Sequence, residues 1–132
     1  MKKLVFLVLF LCSAIGFSQT IPTVLDLEIT KEDCIESGVS MLGCLEDYYK
    51  QMDALLNTVY NNVRSTLSSD EKEKLKKEQL LWFKKRDKHF IELYRAILVN
   101  FGSADGEDFK MAVTDKKSEF VGERIKELVK RL

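Results

Sequence analysis

Between Cys44 and Phe101 the chain contains neither proline nor glycine. Nothing in that run obstructs an α-helix, because proline removes a backbone donor and clashes with the preceding turn, and glycine loses the most conformational freedom on ordering. The apolar residues recur there in steps of three and four. Met41, Leu45, Tyr48, Met52, Leu55, Leu56, Val59, Val63 and Leu67 form one stripe, and Leu75, Trp82, Phe83, Ile91, Tyr94, Ile97, Leu98 and Phe101 form another. This is the period of a helix with one buried face. The stripes are separated by Ser68-Ser69-Asp70-Glu71, in which Ser68 and Glu71 have the spacing of a reciprocal N-terminal cap, so a new helix is predicted to start there. Gly102 to Gly106 reads as a loop, and a third helix is predicted from about Glu107 to Arg131, carrying Phe109, Val113, Phe120, Val121, Ile125, Leu128 and Val129. Strand signals, internal repeats and low-complexity stretches are absent. The predicted fold class is all-α: a long antiparallel helical hairpin plus a third C-terminal helix.

The N-terminus has a different character. Lys2 and Lys3 precede an uninterrupted apolar run, Leu4 to Leu11, and small residues follow at Ser13, Ala14, Gly16 and Ser18. This is the layout of a secretory signal peptide, with cleavage expected after Ser18. The apolar stretch from Leu4 to Phe17 is short for a membrane anchor, which needs roughly 20 residues. Cys12 follows Leu11, where lipid attachment requires a small residue. The expected organisation is therefore a signal peptide over residues 1–18, an N-terminal linker over 19–32 and one helical domain over 33–132. The remaining chain is long enough to build a core without a structural metal. Export to the periplasm or beyond the cell is expected, with no stable membrane span after signal cleavage.

Cysteine usage agrees with an oxidising compartment. Beyond the signal only Cys34 and Cys44 remain, and an even pair in such a setting is expected to be bridged. The competing reading is a metal site, but two thiols and the single His89, far along the chain, do not make a closed zinc centre. The bridge would pin the N-terminal segment to the first long helix. No metal and no cofactor is expected.

Charge is unevenly distributed. The chain has 21 basic and 21 acidic residues, so loss of Lys2 and Lys3 leaves it at −2. From Asp26 to Asp53 eight carboxylates (Asp26, Glu28, Glu32, Asp33, Glu36, Glu46, Asp47, Asp53) oppose Lys31 and Lys50, a net of −6. From Arg64 to Arg95 ten basic residues oppose six acidic ones, a net of +4. Such asymmetry commonly marks solvated helix faces. Nucleic acid is not an expected partner, because the compartment is wrong and no basic stripe is interleaved with aromatics.

Folding the first two helices about Ser69 and Asp70 pairs positions whose numbers sum to about 139. Met41 then faces Leu98, Leu42 faces Ile97, Leu45 faces Tyr94, Tyr48 faces Ile91, Tyr49 faces Phe90 and Leu56 faces Phe83. The same register sets Asp53 against Arg86, Asn57 against Trp82 and Tyr60 against Gln79. Helical spacing puts Asp53, Asn57 and Tyr60 on one face, and Gln79, Trp82 and Arg86 on another. This polar row has two readings. Its members satisfy one another between helices, which avoids a desolvation cost of about 1–3 kcal/mol for each stranded group, or they line a groove that receives a partner.

These residues also carry a resemblance. Cys34, Met41-x-x-Cys44, Asp53-x-x-x-Asn57-x-x-Tyr60 and Leu75-x-x-x-Gln79-x-x-Trp82-x-x-x-Arg86-Asp87 resemble the signature of the LprI-like lysozyme-inhibitor family of exported bacterial proteins. The match runs from about Asp33 to Phe90, with an echo in Thr114 and Arg124-x-x-x-Leu128. Relatives often have a cysteine where Phe90 stands, so no second disulfide is expected, and Phe90 is expected to fill that space by packing on Tyr49. The resemblance implies a small helical protein of the bacterial envelope that binds a protein partner, and lysozyme is the partner it points to. An envelope interaction module without inhibitory activity is the alternative.

Animal lysozymes are strongly basic, so an acidic surface would be steered towards one. Within the −6 segment Glu36, Glu46 and Asp47 are the candidate partner-binding residues. An enzyme is not expected: no catalytic residue stands out, His89 reads as a helix-surface histidine, and no serine or cysteine has a nucleophile's context.

Overall fold

The computed structural model describes residues 22–132; the expected signal peptide over residues 1–18, with its apolar run, its cleavage site and Cys12, lies outside them. Four helices follow in order: α1 Val24–Glu36, α2 Met41–Ser65, α3 Ser69–Phe101 and α4 Glu107–Val129. No strand occurs among the described residues.

Each helix start has a local cause. Ser68 caps α3 as its spacing predicts: its backbone N–H donates to Glu71 Oε2 at 2.9 Å, while its hydroxyl oxygen accepts from the Glu71 N–H at 3.5 Å. Thr23 and Asp26 form the same reciprocal cap on α1, with Thr23 N–H donating to Asp26 Oδ2 at 2.7 Å and Asp26 N–H donating to Thr23 Oγ1 at 3.2 Å. The Thr23 backbone N–H and then its hydroxyl, both donating to Oδ2, hold the Asp26 carboxyl below the usual carboxylate range. Gly102 ends α3 in the left-handed region, φ 73°, which glycine enters without steric cost.

The segment expected to be a linker is thus largely helical. Val24, Leu27, Lys31 and Cys34 share one face of α1, and of its apolar residues Leu27 is buried. The stripe is too thin to stand out in the sequence, and α1 is held by docking on α2. The disulfide expected between Cys34 and Cys44 is present, with Cα atoms 5.8 Å apart, and staples the end of α1 to the first turn of α2.

The core is organised around α4. Met52, Leu56, Val59 and Val63 of α2 pack with Val121, Ile125 and Leu128 of α4, and all seven are at most 4% exposed. Burying a side chain of this size contributes about 1.5–3 kcal/mol. Gly122 marks the close approach of α2 and α4, since a Cβ there would lie 2.8 Å from the Met52 methyl carbon.

The register proposed between α2 and α3 holds in part. Tyr49 meets Phe90 edge-on at 6.4 Å, the packing expected of this pair. Leu56 and Phe83 join the same core cluster. Further towards the disulfide end the expected apolar pairs give way to contacts with α1 and α4. Met41 and Ile91 are exposed, Tyr48 opens towards α1 and α4, and Tyr94 packs edge-on against Phe109 of α4 at 5.0 Å. The physical reason is that α4 supplies a better apolar surface than the opposing helix of a two-helix hairpin.

Candidate functional site

Two members of the polar row, Gln79 and Trp82, meet a residue from outside the hairpin. Arg124 of α4 is 4% exposed, and its guanidinium donates to Gln79 Oε1 from Nε at 3.1 Å and from Nη2 at 2.9 Å. Nη2 also lies 2.9 Å from Glu78 Oε1, and Nη1 donates to Glu127 Oε2 at 3.0 Å. The same guanidinium stands 6.0 Å from the Trp82 ring centroid. Arg131 grips Glu78 in a two-pronged pair at 2.7 and 3.0 Å, and this contact, more than Arg124, holds the Glu78 carboxyl below the usual range. Arginine suits the position because its planar fork satisfies several acceptors at once and keeps its charge when buried.

The other members of the row are distributed around this cluster. Asn57 is exposed and Tyr60 half-buried, and with Gln79, Leu80 and Phe83 they line a small cleft of about 130 Å³ between α2 and α3. Arg86 lies 4.8 Å from the Phe83 ring centroid and pairs with its neighbour Asp87 at 2.8 Å, where an Asp53 pair was expected. Asp53, Arg86 and Asp87 still share one neighbourhood, the Tyr49 hydroxyl: burial chiefly pushes Tyr49 above its ordinary pKa, Asp53 and Asp87 add to this, and Arg86 opposes it. His89 is half-buried and stacked on Phe120 at 4.4 Å, and Phe120 in turn stacks on Trp82 at 5.7 Å. Its expected place on the helix surface is thereby corrected: α4 covers it.

The three candidate partner-binding residues gather near the disulfide. Glu36 is the last residue of α1, and Glu46 and Asp47 lie in the first two turns of α2. All three are exposed, and Asp47 has a loose ion pair with Lys50 at 3.4 Å.

A second acidic feature, unpredicted, lies between α1 and α4. Glu28 and Lys31 of α1, Tyr48 and Met52 of α2, and Asp115, Ser118, Glu119, Glu123 and Lys126 of α4 line a cleft of about 190 Å³. Tyr48 is 7% exposed, and burial first, then Glu28, Asp115 and Glu119, push its hydroxyl up to about 12. No signal along the chain links Glu28 to Asp115. Among the described residues no group of three or more His, Cys, Asp or Glu is arranged to hold a metal ion, and no helix is long and apolar enough to cross a membrane.

The fold and its polar cluster define a disulfide-stapled all-α protein whose signature residues Leu75, Gln79, Trp82, Arg124 and Leu128 are buried where helices meet. The family model described as lysozyme inhibitor LprI matches residues 31–128, and the chain belongs to that family. No curated protein matches, and no solved structure matches.

Proposed function

We propose that this protein is exported and inhibits lysozyme in the bacterial envelope by binding the enzyme directly. The observation that carries the reading is the lysozyme inhibitor family match over residues 31–128. Lys2 and Lys3 ahead of the apolar run Leu4 to Leu11 support export, with cleavage after Ser18. The acidic end of the molecule supports an electrostatic mode of association. A strongly basic enzyme is steered towards the exposed carboxylates Glu36, Glu46 and Asp47, which raises the encounter rate and sets its salt dependence. Lysozyme cleaves with a pair of carboxylates in a cleft, and a protein seated at that cleft excludes the peptidoglycan strand without chemistry of its own.

In this reading the polar row is structural: Gln79 and Trp82 are buried and engaged by Arg124, which leaves Asn57 and Tyr60 at the surface of a small cleft. The test is lysis of a peptidoglycan suspension by a basic lysozyme in the presence of the mature protein. Inhibition is expected near equimolar ratio and is expected to weaken on charge reversal at Glu36, Glu46 and Asp47 with the melting temperature unchanged. Lysis that proceeds at the same rate with the protein in excess overturns the proposal and leaves an envelope interaction module.

A further inference from the structure

We propose that the cleft between α1 and α4 receives a cationic side chain, an arginine guanidinium or lysine ammonium, projecting from a basic protein partner. The inference deepens the reading above and rests on it for the identity of the partner, but the cleft's chemistry can be tested separately.

Four carboxylates line the cleft, from Glu28, Asp115, Glu119 and Glu123, with the ammonium groups of Lys31 and Lys126. The two lysines are already occupied: Lys126 pairs with Glu123 at 3.1 Å, and Lys31 pairs with Glu32, outside the cleft lining, at 3.1 Å. Glu119 is engaged by Lys116 at 2.8 Å. Glu28 and Asp115 remain, both half-buried and without an ion pair among the described residues. Glu28 and Asp115 thus present two carboxylates without an ion pair to one cleft from different helices, beside Lys31 and Lys126, and a further cation entering there finds counter-charge from both.

The independent observation is Tyr48. Its side chain is more than nine-tenths buried, it lines the cleft, and among the described residues its hydroxyl has no hydrogen-bond partner. No polar side-chain atom among the described residues is both fully buried and without a partner, so the hydroxyl reaches solvent, and Glu28, Asp115 and Glu119 of this cleft are the charged groups around it. A phenol oxygen accepts from a guanidinium or ammonium while the carboxylates supply the counter-charge. The site already shows how a cation fits, because the Lys31 ammonium lies 4.9 Å from the Tyr48 ring centroid, within the range of a cation–π contact. Glu36, Glu46 and Asp47 would draw a basic protein in, and the cleft would hold one of its side chains in register.

The test uses two probes on the mature protein and on Glu28→Gln/Asp115→Asn and Tyr48→Phe variants, each checked for an unchanged melting temperature. In the first, N-acetyl-arginine amide is titrated into isotope-labelled protein while the backbone amides of Tyr48, Ser118 and Gly122 are followed. Saturable shifts are expected in the parent protein, with binding weakened about tenfold or more in the double variant, as loss of a charge-assisted contact implies. Absence of shifts around the cleft, or equal binding by the double variant, overturns the inference. In the second, the same proteins are assayed against a basic lysozyme. Inhibition by the parent and equally by the double variant overturns the cleft's role and leaves the proposed function standing. Arginine binding at the cleft without any inhibition by the parent removes lysozyme as the partner and leaves the cation site.

Discussion

Arg124 shows how much one side chain can organise. It sits in the core with its charge intact because Gln79, Glu78 and Glu127 all accept from it, and its guanidinium lies near the Trp82 ring. Glu78 and Glu127 are partly exposed and regain water if the arginine is removed, but Gln79 is 6% exposed and does not. Arg124→Ala is therefore expected to destabilise the protein by about 1–3 kcal/mol from the stranded Gln79 acceptor alone, with lost packing on Trp82 in addition. Denaturant unfolding monitored by Trp82 fluorescence measures it, and Arg124→Lys is expected to recover less than half of the loss, because an ammonium cannot present the same fork. Gln79 and Trp82 were legible in the sequence as one helix face. Their partner was not, because periodicity relates residues within a helix and Arg124 is 45 positions away from Gln79.

At the scale of the element, α1 and the disulfide belong together. α1 has a good cap in Thr23 and Asp26 but few buried apolar side chains, so its local signals say where it begins and its docking decides whether it stays formed. The Cys34–Cys44 bridge closes a loop spanning 10 positions, which the chain-entropy model values at about 2–3 kcal/mol. Replacing both cysteines with alanine is expected to lower the melting temperature and to raise amide exchange first in α1, while the amides of α2 around Val59 and of α4 around Ile125 keep the protection of the global core. Equal loss of protection in all helices would show that the staple supports the whole fold. The capping residues Ser68 and Glu71, the loop from Gly102 to Gly106 and the pairing of the two cysteines could be read along the chain, because each is a short-range arrangement. The helical character of residues 24–32 could have been read from the Thr23 and Asp26 spacing, but the apolar stripe was too sparse to draw attention to it.

In the whole molecule α4 takes the central place. It packs closely on both α2 and α3, whereas those two helices approach one another through long side chains such as Tyr49 and Phe90. Truncation after Gly106 is accordingly expected to abolish cooperative thermal unfolding and to leave much weaker helical circular dichroism, since most of the apolar surface of Met52, Leu56 and Val63 returns to water. A truncated chain that still melts sharply would mean that the α2–α3 hairpin is a folding unit by itself. The acidic surface is also a property of the whole: Glu36, Glu46 and Asp47 are close in sequence, but Glu28 and Asp115 face one cleft because α1 and α4 are brought together over α2.

The amino-acid sequence by itself determined the helices α2, α3 and α4, the break at Ser68, the cysteine pair and the family signature, because backbone hydrogen bonding, capping and apolar period act over a few residues. Only the tertiary structure decided that α4 supplies the arginine that engages Gln79 and Trp82, that Tyr48 lines an acidic cleft and that Arg86 turns to Asp87 instead of Asp53. These outcomes depend on which faces compete for the same apolar surface, and that competition is settled by packing between segments far apart in the chain.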